Sequence, residues 1–498
     1  MKRIVYLPLD ERPCNAAFAA QMCEGNPDFM LIRPPRRMLG KKKQPADHRE
    51  LARFLLETCA AADALICSVD MLLYGGIVPS RLHCLSSEEL VRRLSLLEDI
   101  KRENPKLKIY AFALLMRCPS YSSADEEPDY YENCGREIFL TGQAEHRYRV
   151  GELDRENYEK AIAEYRKKTD EYLSDYLARR RKNLDMVLRT VRLQKNVIDV
   201  LVLPQDDSAP YGYTAMDRAG LFLQIQREGL VQPPVYPGAD EAGMTLLARA
   251  VNEMRGARPK IAVRYAAERG KTLIPLYEDR PLSESVRSQI LAAGCEPCGA
   301  EEADMVLFVN VPSEGMADIG SAGGKGYFDR DLAVFVQEMK EEADASRIVL
   351  AADVAYCNGG DADWAKRISR TMGFLRLGGY AGWNTSSNTL GTVIAEGVMY
   401  FHYGDTPAHG RFLAERAYED IGYCGHVRKY ICETVCLPMG LDWFHTDGPN
   451  GRVAAAVRAE LERYIGELLP EVAAKYAVDR CEMPWNRMFE TALTVKEK

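Results

Sequence analysis

The sequence predicts an α/β protein, arranged as a (β/α)8-like barrel with a helical insertion, a small Rossmann-like unit and a mostly helical C-terminal region. Three observations predict this. Short apolar runs alternate with amphipathic stretches from residue 3 to about residue 400. About nine of the runs have strand length. Polar residues gather directly after the runs, where the C-terminal ends of buried parallel strands open. Barrels and open doubly wound sheets both place their sites there. The barrel is the preferred arrangement, and a barrel joined to a small α/β unit comes next.

The chain has 498 residues, 47% hydrophobic and 28% charged, which suits a globular protein with one large core or two to three domains. A net charge of −8 argues against nucleic-acid and anionic-membrane partners. No apolar run approaches a membrane span. Met1-Lys2-Arg3 leads into too short an apolar run for an export signal, so a cytoplasmic location is expected. The fourteen Cys are scattered and read as reduced buried thiols. Cys295 and Cys298 form a lone C-x-x-C, and the seven His are dispersed, so no metal and no cofactor are expected.

In chain order, residues 4–8 form a strand that delivers Asp10 and Arg12. Asp10 can cap the next helix or meet a substrate, and Arg12 suits a carboxylate. The basic stretch 34–43 reads as a solvated loop. A helix over 48–60 leads to a strand over 64–69, ending at Asp70. Residues 72–81 then read as a glycine-rich loop carrying Tyr74 and Arg81; no Gly-Lys-Ser/Thr follows, so it is not a nucleotide loop. A helix over 87–103 precedes a strand over 109–116, which ends at Arg117 and opens into an acidic, Tyr-rich loop.

Residues 147–196 read as a paired helical insertion, with Arg179-Arg180-Arg181-Lys182 as a surface patch. The run Val200 to Leu203 ends in Pro204, Gln205, Asp206, Asp207 and Ser208, followed by Pro210-Tyr211-Gly212. Two adjacent carboxylates at a strand end are costly unless paired or used. The same pattern returns at Gly238-Ala239-Asp240-Glu241, where the acids also suit the start of a helix over 244–254. Strands over 260–264, 305–310 and 347–353 alternate with helices over 282–293 and 331–340, and the last strand ends at Asp353. Residues 258–312 look like a Rossmann-type unit, and 315–328 form a glycine-rich connection. A short strand near 375–381 ends in Trp383, Asn384 and Asn388. That loop offers a sugar platform, or else a buried Trp beside a capped helix. The division expected is a core over 1–400 and a mostly helical region over 401–498, which serves as a packing layer or as the interface of a homo-oligomer.

The segments L-P-L-D-E-R-P-C-N, Y-G-G-I-V-P-S-R, P-Q-D-D-S-A-P-Y-G, P-G-A-D-E and G-W-N-T-S-S-N-T-L-G together resemble a bacterial family catalogued as a domain of unknown function. The resemblance covers nearly the whole chain and implies no activity. Asp206-Asp207, Gly238-Ala239-Asp240-Glu241 and Trp383-Asn384 are also similar to features of barrel glycoside hydrolases of the hexosaminidase kind, with Gly-Ala in place of Gly-Gly.

These features lead to an expected glycoside hydrolase acting on a small sugar or glycoside, such as an N-acetylhexosaminide. Close carboxylates separate their pKa values, so one holds a proton while the other stays ionised. Asp207 is expected as general acid and Asp206 as the orienting carboxylate, with Asp240 and Glu241 as the rival pair. Asp10, Arg12, Asp70, Tyr74, Arg81, Arg117, Gln205, Tyr211, Asp353, Trp383, Asn384 and Asn388 would bind the carbohydrate. The alternatives are a divalent-metal-dependent hydrolase or lyase, with Asp10, Asp70, Asp206, Asp207, Asp240 and Asp353 as oxygen ligands, and a non-catalytic carbohydrate-binding protein.

Overall fold

The structure is a computed structural model that describes residues 1–321 and 329–498. Residues 322–328 of the expected glycine-rich connection lie outside the described residues. The chain divides into two compact units, the first made of 1–11, 27–243 and 277–279, the second of 12–26, 244–276 and 280–498. This grouping differs from a 1–400 core with a separate tail, because each unit takes up chain segments that are distant in sequence.

The first unit is built on six parallel strands: β1 (Lys2–Leu7), β2 (Phe29–Ile32), β3 (Ala64–Ser68), β4 (Lys108–Phe112), β5 (Val200–Gln205) and β6 (Val235–Pro237). Their order is β2-β1-β3-β4-β5-β6. All five residues of β3 are buried, as expected for a parallel strand covered on both faces. The helix His48–Cys59 starts where Asp47 accepts the Arg49 and Glu50 N–H groups, and it buries Leu51, Leu55 and Cys59 at fourfold spacing. Two long helices, Tyr131–Arg149 and Arg155–Arg192, form the insertion, and it starts earlier than residue 147. Stacked Tyr130–Tyr172 and Tyr148–Tyr158 rings, 4.8 and 4.4 Å apart, fasten the pair.

The second unit carries β7 (Lys260–Tyr265), β8 (Glu296–Pro297), β9 (Met305–Asn310), β10 (Ala317–Asp318), β11 (Ile348–Asp353), β12 (Tyr356–Cys357), β13 (Gly379–Ala381), β14 (Tyr476–Glu482) and β15 (Ala492–Glu497). Five of these make a parallel sheet in the order β13-β11-β9-β7-β8. The Rossmann-like reading of 258–312 falls inside this sheet. The C-terminal region is helical up to Lys475 and then departs from expectation by ending in the antiparallel pair β14–β15. The core of the second unit gathers Phe335, Trp364, Tyr380, Tyr418, Leu461 and Val478.

Among the described residues, no pairing joins β2 to β6 or β13 to β8, so a closed (β/α)8 barrel is not shown. Counted from its own first strand, the first sheet runs 2-1-3-4-5-6 and the second 2-1-3-4-5, both doubly wound orders. Such a sheet opens a crevice beyond the strand ends where its order reverses. In the first unit that reversal falls between β1 and β3, whose C-terminal ends lead to Asp10 and Asp70.

Candidate active site

The site of the first unit is assembled from the ends of β3, β4 and β5. After β3, Ser68 accepts the Met71 N–H at 3.1 Å and starts the helix Val69–Tyr74, which places Asp70 in its first turn. The stretch read as a glycine-rich loop is in fact two short helices, Val69–Tyr74 and Ile77–Leu82, hinged at Gly75 (φ 84°) and Gly76 (φ 137°). A Cβ on Gly75 would lie 2.6 Å from the Ala46 nitrogen, so only glycine fits. The second helix carries Arg81 inward, where it is 1% exposed.

Arg81 and Arg117 share their acid partners. Arg81 Nη2 donates to Asp206 at 2.7 Å, and Nη1 donates to Glu126 at 2.9 Å. Arg117 donates from Nη1 to Asp207 at 2.9 Å, from Nη2 to Glu126 at 3.1 Å and from Nε to Glu127 at 2.8 Å. Glu126 Oε2 therefore bridges both guanidinium groups. Each aspartate takes one N–H from a different arginine, and each planar guanidinium spreads further N–H groups over the glutamates, a geometry lysine cannot supply.

The backbone aims these acids. Leu115 bridges to Gln205 past the end of β4, and the Asp206 N–H donates to the Leu115 carbonyl at 3.3 Å. The chain then turns at Asp207, whose φ is 35°. A non-glycine residue in the left-handed region is strained, and such strain concentrates at functional sites.

The environments of the acids differ. Burial first, then the neighbouring Asp206 carboxylate, pushes the Asp207 carboxyl up to about 6 against the pull of Arg117 and Arg81. Burial pushes Asp70 up to about 7, with the Leu114 N–H opposing and Asp206 adding to the rise. That N–H donates to Asp70 Oδ2 at 2.9 Å. The Asp207 side chain is 21% exposed and that of Asp206 10%, so Asp207 has the freer access to solvent. Near it, the Tyr121 hydroxyl is lowered by Arg117, but burial and the Asp207, Glu126 and Glu127 carboxylates outweigh this and push it up to about 12.

Three contributors escaped the sequence reading. Glu126 and Glu127 belong to the acidic loop after β4, but nothing in the sequence shows that they fold back onto Arg81 and Arg117. Arg180 corrects the reading of 179–182 as a surface patch. It is 2% exposed, donates to the carbonyls of Arg117 (2.7 Å) and Met116 (2.9 Å), and pairs with Asp217 at 2.6 Å. Arg179 is also buried. The insertion therefore clamps the segment that presents Arg117.

The remaining expected residues play varied parts. Gln205 donates to Asp279 at 2.8 Å and accepts from Arg218 at 3.1 Å. Tyr74 is buried beside the His83 ring, with centroids 4.6 Å apart. Tyr211 donates to Glu152 in the turn between the insertion helices. Asp10 is buried at the end of β1. Asp240 is buried, and Glu241 folds back to accept the Ala239 N–H at 2.9 Å, the role of an acid at a helix start.

Arg12, Asp353, Trp383, Asn384 and Asn388 belong to the second unit. The Arg12 guanidinium lies 5.0 Å from the Trp485 ring centre. Asp353 ties three strand ends together, accepting from Asn310 (2.9 Å), the Asp361 N–H (2.7 Å) and the Tyr380 hydroxyl (2.8 Å). Burial, then Asp361, pushes its carboxyl up to about 7. The Trp383 Nε1–H donates to Thr392 at 3.2 Å. Asn388 and Thr385 form a capping box for the helix Ser386–Tyr403, and Asn384 donates to Asn388 Oδ1 at 2.7 Å. The capped-helix reading of this loop accounts for these bonds.

Residues 4–494 match the model of a family described as a protein of unknown function, DUF4127. The chain belongs to that family. No curated protein matches it. Among solved structures, it is similar to the carboxyl transferase domain of Rhizobium etli pyruvate carboxylase with 3-bromopyruvate, at 12% identity and a TM-score of 0.20, covering 95% of this chain and 59% of that one. A tyrosine-to-alanine variant of that domain with pyruvate gives 12% identity and a TM-score of 0.16, covering 95% and 60%. The DUF4127 chain thus spans about three fifths of those chains, and similarity at this level carries no argument about fold or chemistry. Among the described residues, no three His, Cys, Asp or Glu side chains converge as a metal site, and no helix is long and apolar enough to cross a membrane.

Proposed function

We propose that the acid cluster of the first unit is the acid–base centre of a glycoside hydrolase acting on a small sugar or glycoside, with an N-acetylhexosaminide as the first candidate. Asp207 donates its proton to the glycosidic oxygen as the bond from the anomeric carbon to that oxygen breaks. Asp206, paired with Arg81, faces the positive charge that develops on the sugar or orients a 2-acetamido group. Water then adds to the anomeric carbon and its proton returns to Asp207. One observation carries the reading: a strained, partly exposed carboxyl whose pKa is raised toward neutrality, directly beside a second carboxylate held by a buried arginine. Pairs of acids with environments that differ in this way mark acid–base sites. The Trp383 loop has no part in this reading, since its amides serve a helix cap.

The test is a panel of aryl glycosides with Asp207→Asn and Asp206→Asn. Loss of the general acid should lower kcat by about a hundredfold or more for poor leaving groups. It should cost much less for a 2,4-dinitrophenyl group, which leaves without protonation. Turnover retained in both variants, or an absence of hydrolysis by the unaltered protein across the panel, would refute the proposal.

A further inference from the structure

We propose that the second unit carries a binding site of its own for a neutral saccharide, in a cavity walled mainly by residues 424–443. The inference is independent of the acid cluster and uses none of its residues. The cavity has a volume of about 650 Å³, within the usual range for small-molecule sites. Its wall is conformationally unusual. The segments Ala417–Val427 and Cys432–Cys436 are π-helical, on either side of the short α-helix Arg428–Ile431. Such helices are rare and recur at functional sites. Asn358 also lines the cavity, in a left-handed conformation, φ 64°.

The lining specifies the ligand. Arg428 sits between aromatic faces, 5.3 Å from the Trp443 ring centre and 5.7 Å from that of Phe489. Its Nη groups donate to the carbonyls of Phe489 (2.8 Å) and Asn358 (2.7 Å). The guanidinium therefore fixes the rings and the left-handed turn, instead of standing ready for an anion. Tyr430 is 44% exposed at the mouth, nearly parallel to the His426 ring. The charged groups of the lining include both signs, Lys429 and Glu433 among them. A ligand with a strong charge of either sign meets a like charge there, and a purely apolar one leaves polar groups without partners. A neutral ring with an apolar face and hydroxyls around its edge satisfies both the aromatic walls and the mixed polar rim.

The experiment uses the full chain carrying Asp207→Asn, so that turnover does not consume the probe. Maltose, cellobiose and N,N′-diacetylchitobiose are titrated by calorimetry, with inorganic phosphate and adenosine as competitors in class. At least one disaccharide should bind, and Trp443→Ala should weaken it by about tenfold. Tyr430→Ala removes a ring that is already 44% exposed, so a severalfold loss there supports the site even if Trp443→Ala proves unstable. Absence of binding by all three sugars, affinity unchanged in both ring variants, or tighter binding of phosphate or adenosine would overturn the proposal. The hydrolase reading is judged by turnover and this one by affinity at the two rings, so either can fail alone.

Discussion

Replacing Asp70 by Asn reads the electrostatics of the first unit without needing a substrate. Asp70 is 6% exposed, and its carboxyl is raised to about 7 by burial, opposed by the Leu114 N–H and reinforced by Asp206. In the unfolded chain the same group titrates near its ordinary value of about 3.9. Between roughly pH 4 and pH 7 the folded chain therefore keeps a proton that the unfolded chain has released. More protons bound in the folded state means that stability falls as pH rises through this window, and acid is the favourable side for this group. Asn cannot titrate, yet its side-chain oxygen still accepts the Leu114 N–H. A gap of about three pKa units is worth about 4 kcal/mol when fully expressed. The advantage of Asp70→Asn should grow from under about 1 kcal/mol near pH 4 to about 4 kcal/mol at about pH 8. Between about pH 5 and pH 8 the change is about 2.5 kcal/mol, or about 5–10 °C in Tm for a unit of this size. Scanning calorimetry of both proteins across that range, at fixed ionic strength, measures it. A Tm difference that stays flat with pH, or that widens toward acid, would refute the assignment of Asp70 as a carboxyl held protonated by burial.

Further outcomes follow from individual contacts. Arg117→Gln removes the cation nearest Asp207, so the Asp207 carboxyl should titrate higher by about one unit or more, read by NMR of carboxyl-labelled aspartate. Arg180→Met removes a charged donor from the Met116 and Arg117 carbonyls, which keep only the Thr214 and Tyr176 hydroxyls, and takes from Asp217 its buried partner. It should cost about 3 kcal/mol in urea unfolding and speed proteolysis of the loop after β4. Gly238 (φ 143°) has no room for a Cβ beside Glu241 Oε1, whereas Gly212 (φ 137°) faces open space. Gly238→Ala should therefore destabilise by about 2 kcal/mol or more and Gly212→Ala by only about 1 kcal/mol, compared by denaturant midpoints.

Much of the secondary structure was legible in the sequence because parallel strands buried on both faces leave continuous apolar runs. The runs near residues 4, 64, 109, 200, 260, 305 and 348 all lie in strands. The runs do not encode which strand neighbours which, since that depends on long-range pairing. Nine candidate strands fit one barrel as readily as two open sheets. The edge strand β2 escaped notice because it is four residues long with only Phe29 buried. The β14–β15 pair was hidden because the amphipathic helix Arg452–Leu468 dominates the tail, while β14 alternates over only a few residues. At the acid cluster, Arg81, Arg117, Asp206 and Asp207 were legible from their places after strands. Glu126 and Glu127 were not, because a loop's composition does not fix the direction in which it folds.

Acidic residues after strands share one signature in the sequence and do three different jobs in the structure. Glu241 accepts the Ala239 N–H of its own turn, a bond from side chain to local backbone. Asp353 joins three strand ends and is 1% exposed. Its raised pKa therefore has no ready route to a substrate, and the group acts as a structural knot. Asp207 differs in both respects. Its carboxylate is bonded to the buried guanidinium of Arg117, and its side chain retains contact with solvent. Arg117 in turn is oriented by three carboxylates and held at its carbonyl by Arg180. A carboxyl with a pKa near neutrality becomes chemically useful only when something can reach its proton. Sequence spacing identifies where such acids emerge, and the second layer of arginines, drawn from three separate elements, decides which of them can exchange a proton with a bound molecule.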